Sequence, residues 1–165
     1  MNQRTAVVAF GSNLGDRVVM IEAARSALDA HPQITVVAMS ALHESVALKP
    51  HGVDDSAPPY INAAALVATT LAPTALLAEL MLIERASGRE RHERWGDRTL
   101  DLDIIDFEGV TSSSADLTIP HPRAHERLFV LQPWSEVQPD ARIDGVPILR
   151  LIEQLQASTQ AEVTR

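Results

Sequence analysis

The run Thr5-Ala6-Val7-Val8-Ala9-Phe10 is apolar after its first residue and is closed by the turn formers Gly11-Ser12-Asn13-Leu14-Gly15-Asp16. The pattern predicts a buried strand over 5–10 followed by a turn. Asp16 is placed to cap a helix. Val18, Ile21, Ala24, Ala27 and Leu28 then recur at helical spacing to about Ala30, where His31-Pro32 ends the run. Residues 34–43, rich in Val, Ile and Ala, predict a second strand. Residues 44–59, with Lys49-Pro50-His51-Gly52 and Pro58-Pro59, predict a loop, and 60–70 a third strand. Pro73 suits the first turn of a helix that runs to Ser87, with Gly88 as its stop. Residues 89–98 are charged and aperiodic, and 99–107 return to a strand pattern.

The order β-α-β-β-α-β predicts an α+β fold of the ferredoxin-like, split βαβ kind, an antiparallel sheet with helices on one face. Residues 108–156 read as a C-terminal extension. They supply a Ser-rich loop, Ile119-Pro120-His121-Pro122, a short helical piece, a hairpin at Asp144-Gly145 and an amphipathic helix over about 147–156, with a frayed tail beyond. No repeat or linker divides the chain, so a single domain over 1–165 is expected.

Composition narrows the function. The 165 residues are 45% apolar and 22% charged, a globular balance, and the net charge is −8. That charge disfavours a general nucleic-acid binder. The absence of Cys excludes disulfides, zinc-thiolate sites and thiol nucleophiles. No stretch approaches a membrane span, and the short apolar run at 6–10 lacks the flanks of a signal segment, so a cytoplasmic protein is expected. Of the 14 basic residues only Lys49 is Lys, and five Arg fall between Arg85 and Arg98. An acidic chain that concentrates guanidinium groups in this way points to a bound anion.

The strand carrying Arg98-Thr99-Leu100-Asp101-Leu102-Asp103-Ile104 is the strongest local signal. Asp101 and Asp103 share a strand face, with Cα atoms ~6.5 Å apart, while Leu100, Leu102 and Ile104 face a core. Taken alone, the pair reads first as an acidic stripe facing water. Beside an Arg cluster it suits Mg²⁺ and a polyphosphate. The 89–98 segment is either a solvated, self-paired loop or, bracketed by Gly88 and Gly96, one that closes over phosphates. Tyr60 and Asn62 share a face and could stack on and read a flat heterocycle; a plain cross-strand pair explains them too. His121, Arg127 and Phe129 suit a site wall or a capped helix end. Neither a Walker nor a Rossmann glycine loop is present.

Four blocks in register then identify a resemblance. Phe10-Gly11-Ser12-Asn13-Leu14-Gly15-Asp16, Tyr60-Ile61-Asn62-Ala63-Ala64, Arg94-Trp95-Gly96 with Arg98-Thr99-Leu100-Asp101-Leu102-Asp103, and Ile119-Pro120-His121-Pro122 with Arg127-Leu128-Phe129 resemble the 6-hydroxymethyl-7,8-dihydropterin pyrophosphokinases of folate biosynthesis over about residues 6–140. The resemblance implies transfer of the diphosphate of ATP, the co-substrate, to the pterin hydroxymethyl group with release of AMP. It implies that Asp101 and Asp103 hold two Mg²⁺ ions. Tyr60 and Phe129 would sandwich the pterin, Asn62 would read its edge, and Ser45, Val46, Leu48 and Trp95 would complete that pocket. Arg89, Arg98, His121 and Arg127 would grip the triphosphate, with Glu84, Arg91 and Ile104 also at the nucleotide. Arg89 and Arg98 would join the two aspartates in catalysis. Arg91 and Trp95 would ride on the closing loop. The expected protein is a monomer acting on small molecules, without nucleic-acid or membrane partners.

The chain departs from that family's pattern at Asp97, where Pro is usual, at Ser45-Val46-Ala47, where a Thr-Pro pair is usual, and at Met81, where Gln is familiar. The alternative is a ferredoxin-like nucleic-acid or regulatory binding module without catalysis. Such RNA binders need several exposed aromatics on a basic sheet. Here the third strand offers only Tyr60.

Overall fold

A computed structural model of the chain describes residues 2–49, 52–88 and 99–163. Strand β1 (Arg4–Ser12) lies inside a five-stranded sheet, which is why its sequence is apolar without alternation. Ala6, Val8 and Phe10 face one apolar layer and Val7 the other. Helix α1 (Arg17–Asp29) follows, capped by Asp16, whose side chain accepts from the Val19 N–H at 3.1 Å. Then come β2 (Ile34–Met39), three short strands β3 (His43–Ser45), β4 (Ala47–Lys49) and β5 (Gly52–Asp54), and the long β6 (Tyr60–Thr69). Helix α2 (Pro73–Ala86) starts on Pro73, and Gly88 adopts φ +79° just beyond its end. The chain continues through β7 (Asp101–Phe107), β8 (Ser112–Ser113), β9 (Thr118–Ile119), a 3₁₀ turn (Ala124–Glu126), α3 (Leu128–Val137), β10 (Arg142–Ile143), β11 (Val146–Pro147) and α4 (Ile148–Val163).

The sheet order is β2-β6-β1-β7, with every neighbouring pair antiparallel and β3 also on β6. Helices cover both faces, not one as the sequence pattern suggested. Ile21, Ala24 and Leu28 of α1 and Leu76 and Leu80 of α2 fill the layer on one side. Leu131 and Trp134 of α3 and Ile148 of α4 pack on Val7, Ala64 and Ile105 on the other. The C-terminal extension is therefore half of the core. Its last helix also continues to Val163, beyond the expected 156. Leu151, Ile152 and Leu155 are its last residues packed on that layer, and the exposed turns beyond them are built largely from good helix formers.

Besides a register shift at Val36/Ala38 in β2, two irregularities set which side chains face the cavity. The expected strand 34–43 breaks at Ser40 and resumes as β3, so the region expected as loop holds three short strands. On β7, the pairing shifts so that Val7 opposes Asp106 while Val8 opposes Ile104. Ile105 is the surplus residue. Simple alternation would send Asp106 into the apolar layer beside Leu100, Leu102 and Ile104; the bulge sends Phe107 there instead.

Candidate functional site

The cavity lies where α3 leaves the sheet uncovered. Its floor reads across four strands. Ser45 on β3 opposes Tyr60 on β6, Asn62 on β6 opposes Gly11 on β1, and Gly11 opposes Asp101 on β7. Opposed residues share a face, so Ser45, Tyr60 and Asn62 occupy one end, and Asp101 and Asp103 the other. Two strand spacings, ~10 Å, separate Asn62 from Asp101. Gly11 fills the space between with no side chain. A Cβ added there would stand 3.7 Å from Asn62 Oδ1 and Tyr60 Cδ1 and 4.0 Å from the Asp101 Cβ, occupying the floor. The cavity measures about 470 Å³ and is walled further by Val46, His121, Pro122, Arg123, Arg127 and Phe129.

The turn after β1 anchors this floor. Ser12 is fully buried and its Oγ donates to Thr99 O at 2.5 Å, tying β1 to the start of β7. Buried Asn13 donates to Pro58 O at 3.4 Å and Arg17 to Pro59 O at 2.6 Å, which fixes the approach to Tyr60. On the opposite wall, His121 N donates to Ile105 O at 2.8 Å and so hangs the 119–122 segment on β7.

Electrostatics divides the cavity. Arg123 N donates to His121 Nδ1 at 3.2 Å, which leaves Nε2 to carry the ring proton. Burial, then the Arg127 charge, holds the His121 pKa below its ordinary value, while Asp101 opposes them. The neutral imidazole is thus a fixed N–H donor. Arg127 is half-buried; its pKa is lowered by burial and Arg123, yet guanidinium remains charged at neutral pH. Its guanidinium lies 5.6 Å from the Phe129 ring centroid, and its buried Nε has no hydrogen-bond partner among the described residues. Arg123 pairs with Glu126. An anion entering here meets two guanidinium groups and an N–H donor, whereas the other end offers the Tyr60 ring, the Asn62 carboxamide and the Ser45 hydroxyl.

The structure thus brings Ser45, Val46, Tyr60, Asn62, Asp101, Asp103, His121, Arg127 and Phe129 into one cavity. Glu84 and Ile104 do not line it. Ile104 belongs to the apolar layer under α1 and α2, and buried Glu84 accepts the Leu102 N–H at 2.8 Å, bracing β7 between its two aspartates. Leu48 pairs with Val53 in the β4–β5 hairpin. Arg89, Arg91, Trp95, Asp97 and Arg98 lie outside the described residues. Sequence reasoning missed Gly11 and Arg123. Gly11 reads as one of several turn glycines until the sheet register is known, and Arg123 sits in the basic 121–129 segment without a spacing that marks it.

Among the described residues no group of three or more metal-ligating side chains exists. Two carboxylates on one strand face still fit Mg²⁺, which is commonly held by one or two carboxylates with waters and substrate phosphates completing its shell.

An α+β sheet protein whose cavity joins aromatic rings to a carboxylate pair and an arginine wall has the side chains to take a ring substrate together with a polyphosphate. Residues 7–139 match the profile of the 7,8-dihydro-6-hydroxymethylpterin-pyrophosphokinase family, and the chain belongs to that family. It is 38% identical over 153 residues to the 2-amino-4-hydroxy-6-hydroxymethyldihydropteridine pyrophosphokinase of Methylorubrum extorquens, covering 93% of this chain and 94% of that one. It is 42% identical over 139 residues to the Pseudomonas aeruginosa enzyme of the same name, covering 84% and 83%. Among solved structures it is similar to an HPPK-DHPS in complex with substrates, at TM-score 0.75 and 13% identity, and to Plasmodium falciparum HPPK-DHPS with pteroate, at 0.76 and 14%. These cover 100% and 99% of this chain, which spans only 45% and 44% of theirs. At such identity they show the fold alone.

Proposed function

We propose that this chain transfers the diphosphate group of ATP to the hydroxymethyl oxygen of 6-hydroxymethyl-7,8-dihydropterin, giving the pterin diphosphate and AMP, in tetrahydrofolate biosynthesis. The observation that carries this reading is the floor: Asn62 and Asp101 stand on either side of Gly11 in one cavity, ~10 Å apart. A pterin at the first end therefore points its substituent toward a phosphate chain at the second.

On this reading Tyr60 and Phe129 stack the pterin, and Asn62 Oδ1 accepts a hydrogen bond from its edge. His121, Arg123 and Arg127 bind phosphate oxygens, with Arg89 and Arg98 adding charge by their place in the family motif. Asp101 and Asp103 hold Mg²⁺, two ions by resemblance, which when bound neutralises and orients the triphosphate. Holding the hydroxyl near the β-phosphorus converts an encounter between two substrates into a positioned reaction, and the cationic wall stabilises charge as it moves toward the leaving AMP. We read the four long strands with α1 and α2 as a ferredoxin-like core, and the protein as a cytoplasmic monomer.

The test is chromatography of the pterin after incubation with ATP and Mg²⁺, beside an RNA titration. Metal-dependent conversion of the pterin, with no heat on adding RNA, is expected. An unmodified pterin and saturable RNA binding would replace the enzyme with a binding module.

A further inference from the structure

Glu136 stands outside the cavity, about two turns beyond Phe129 on α3, yet it holds the wall that orients Asn62. Between β2 and β3 the chain advances from Ser40 to His43 while β6 advances from Ala64 to Asn62: Ser40 N donates to Ala64 O at 2.9 Å, and His43 then opposes Asn62. The surplus residue is a bulge. Without it, alternation would turn His43 and Ser45 to the α1 and α2 face; with it, both share the face of Tyr60 and Asn62.

A bulge releases a backbone N–H from the ladder. Here Ala41 N donates to Glu136 Oε2 at 2.7 Å, and His43 Nε2 lies 2.5 Å from Glu136 Oε1. One carboxylate therefore clamps the bulge and the first residue of β3 together. The consequence reaches the cavity through β3. Asn62 Nδ2 donates to Ser45 Oγ at 2.7 Å and to His43 O at 3.4 Å. Both amide hydrogens are directed to β3, so the carboxamide turns Oδ1 toward Gly11 and the ligand space.

We infer that Glu136 is a positioning residue for ring recognition. It locks the β2–β3 bulge so that Ser45 and His43 hold Asn62 with its acceptor toward a donor on the ring. The inference rests on the assignment of the pterin to the Asn62 end. Glu136 is exposed and His43 only partly buried, so water can take up groups left by a truncation and the fold survives it. Glutamine keeps an acceptor for Ala41 N.

The test is calorimetry on wild type, Glu136→Ala, Glu136→Gln, Asn62→Ala and the Glu136→Ala/Asn62→Ala double variant. Reduced pterin is titrated with a non-hydrolysable ATP analogue and Mg²⁺ present, and the analogue is titrated separately. Glu136→Ala should weaken pterin about 3- to 10-fold, Glu136→Gln should recover most of that, and analogue affinity should move less than about twofold. In the Asn62→Ala background, Glu136→Ala should add nothing. Unchanged pterin affinity in Glu136→Ala, equal losses for both ligands, or full additivity would overturn the inference while leaving the pterin assignment standing. Pterin affinity that survives Asn62→Ala would overturn the assignment itself. Should Glu136→Ala fail to fold, His43→Ala severs the other arm of the clamp and takes its place in the cycle.

Discussion

His121 shows how one side chain couples the site to the fold. Its ring is held neutral by burial and by Arg127, and its Nδ1 accepts a backbone N–H that only an unprotonated nitrogen can accept. The folded pKa lies below the unfolded value near 6.5, so between the two the unfolded chain binds more protons. The resulting stability is fully present above about pH 6.5 and is lost as pH falls through the folded pKa. Replacing His121 with Gln removes that contribution. Chemical denaturation between about pH 7.5 and about pH 5 should therefore give a shallower loss of stability for His121→Gln than for wild type. Equal slopes would mean that the ring is not held neutral. At this scale, much of the site was legible in the sequence. Tyr60, Asn62, Asp101 and Asp103 follow from strand alternation, because each pair stands at i and i+2. Glu84 and Ile104 lie outside this cavity, and their place at the nucleotide rests on the motif alone. Packing decided that Ile104 lies in the core and that the Glu84 carboxylate holds a backbone N–H.

At the scale of elements, the proposed function puts the metal chemistry on strand β7. It is an edge strand with two carboxylates on the cavity face and Leu102 and Ile104 beneath. The two like charges repel each other and both face the cavity rather than the packed layer, so replacing either leaves that layer intact. Asp101→Ala and Asp103→Ala should each lower kcat by about 10²-fold or more, while the melting temperature stays within a few degrees or rises. Near-wild-type turnover of either variant at saturating Mg²⁺ would remove the metal from this strand face. The bulges were not legible. Nothing in the 34–43 pattern marks the surplus residue after Ser40, because a bulge is set by what pairs across it, here β6, and by a distant carboxylate, Glu136. The Ile105 bulge has a faint trace in the sequence: strict alternation would bury the charged Asp106.

At the scale of the whole molecule, the element order was readable from periodicity, and the second layer was not. The short helical piece after residue 124 and the last amphipathic helix each have an apolar stripe, but only the three-dimensional sheet shows that its second face needs both. The hint was β1 itself, whose apolar run without alternation belongs to a strand covered on two sides. The arrangement has one consequence for the site: α3 covers the sheet only as far as Phe129, and the cavity opens beyond it with Tyr60 and Asn62 at one end, a gap at Gly11 and the two aspartates at the other. Membership of the pyrophosphokinase family predicts attack at the middle phosphorus of the triphosphate, since the diphosphate is transferred as a unit. Phosphorus NMR of the reaction with ATP, Mg²⁺ and 6-hydroxymethyl-7,8-dihydropterin reads this directly. The account predicts AMP and a pterin diphosphate ester appearing in equal amounts; ADP accumulating in step with a pterin monophosphate would contradict it.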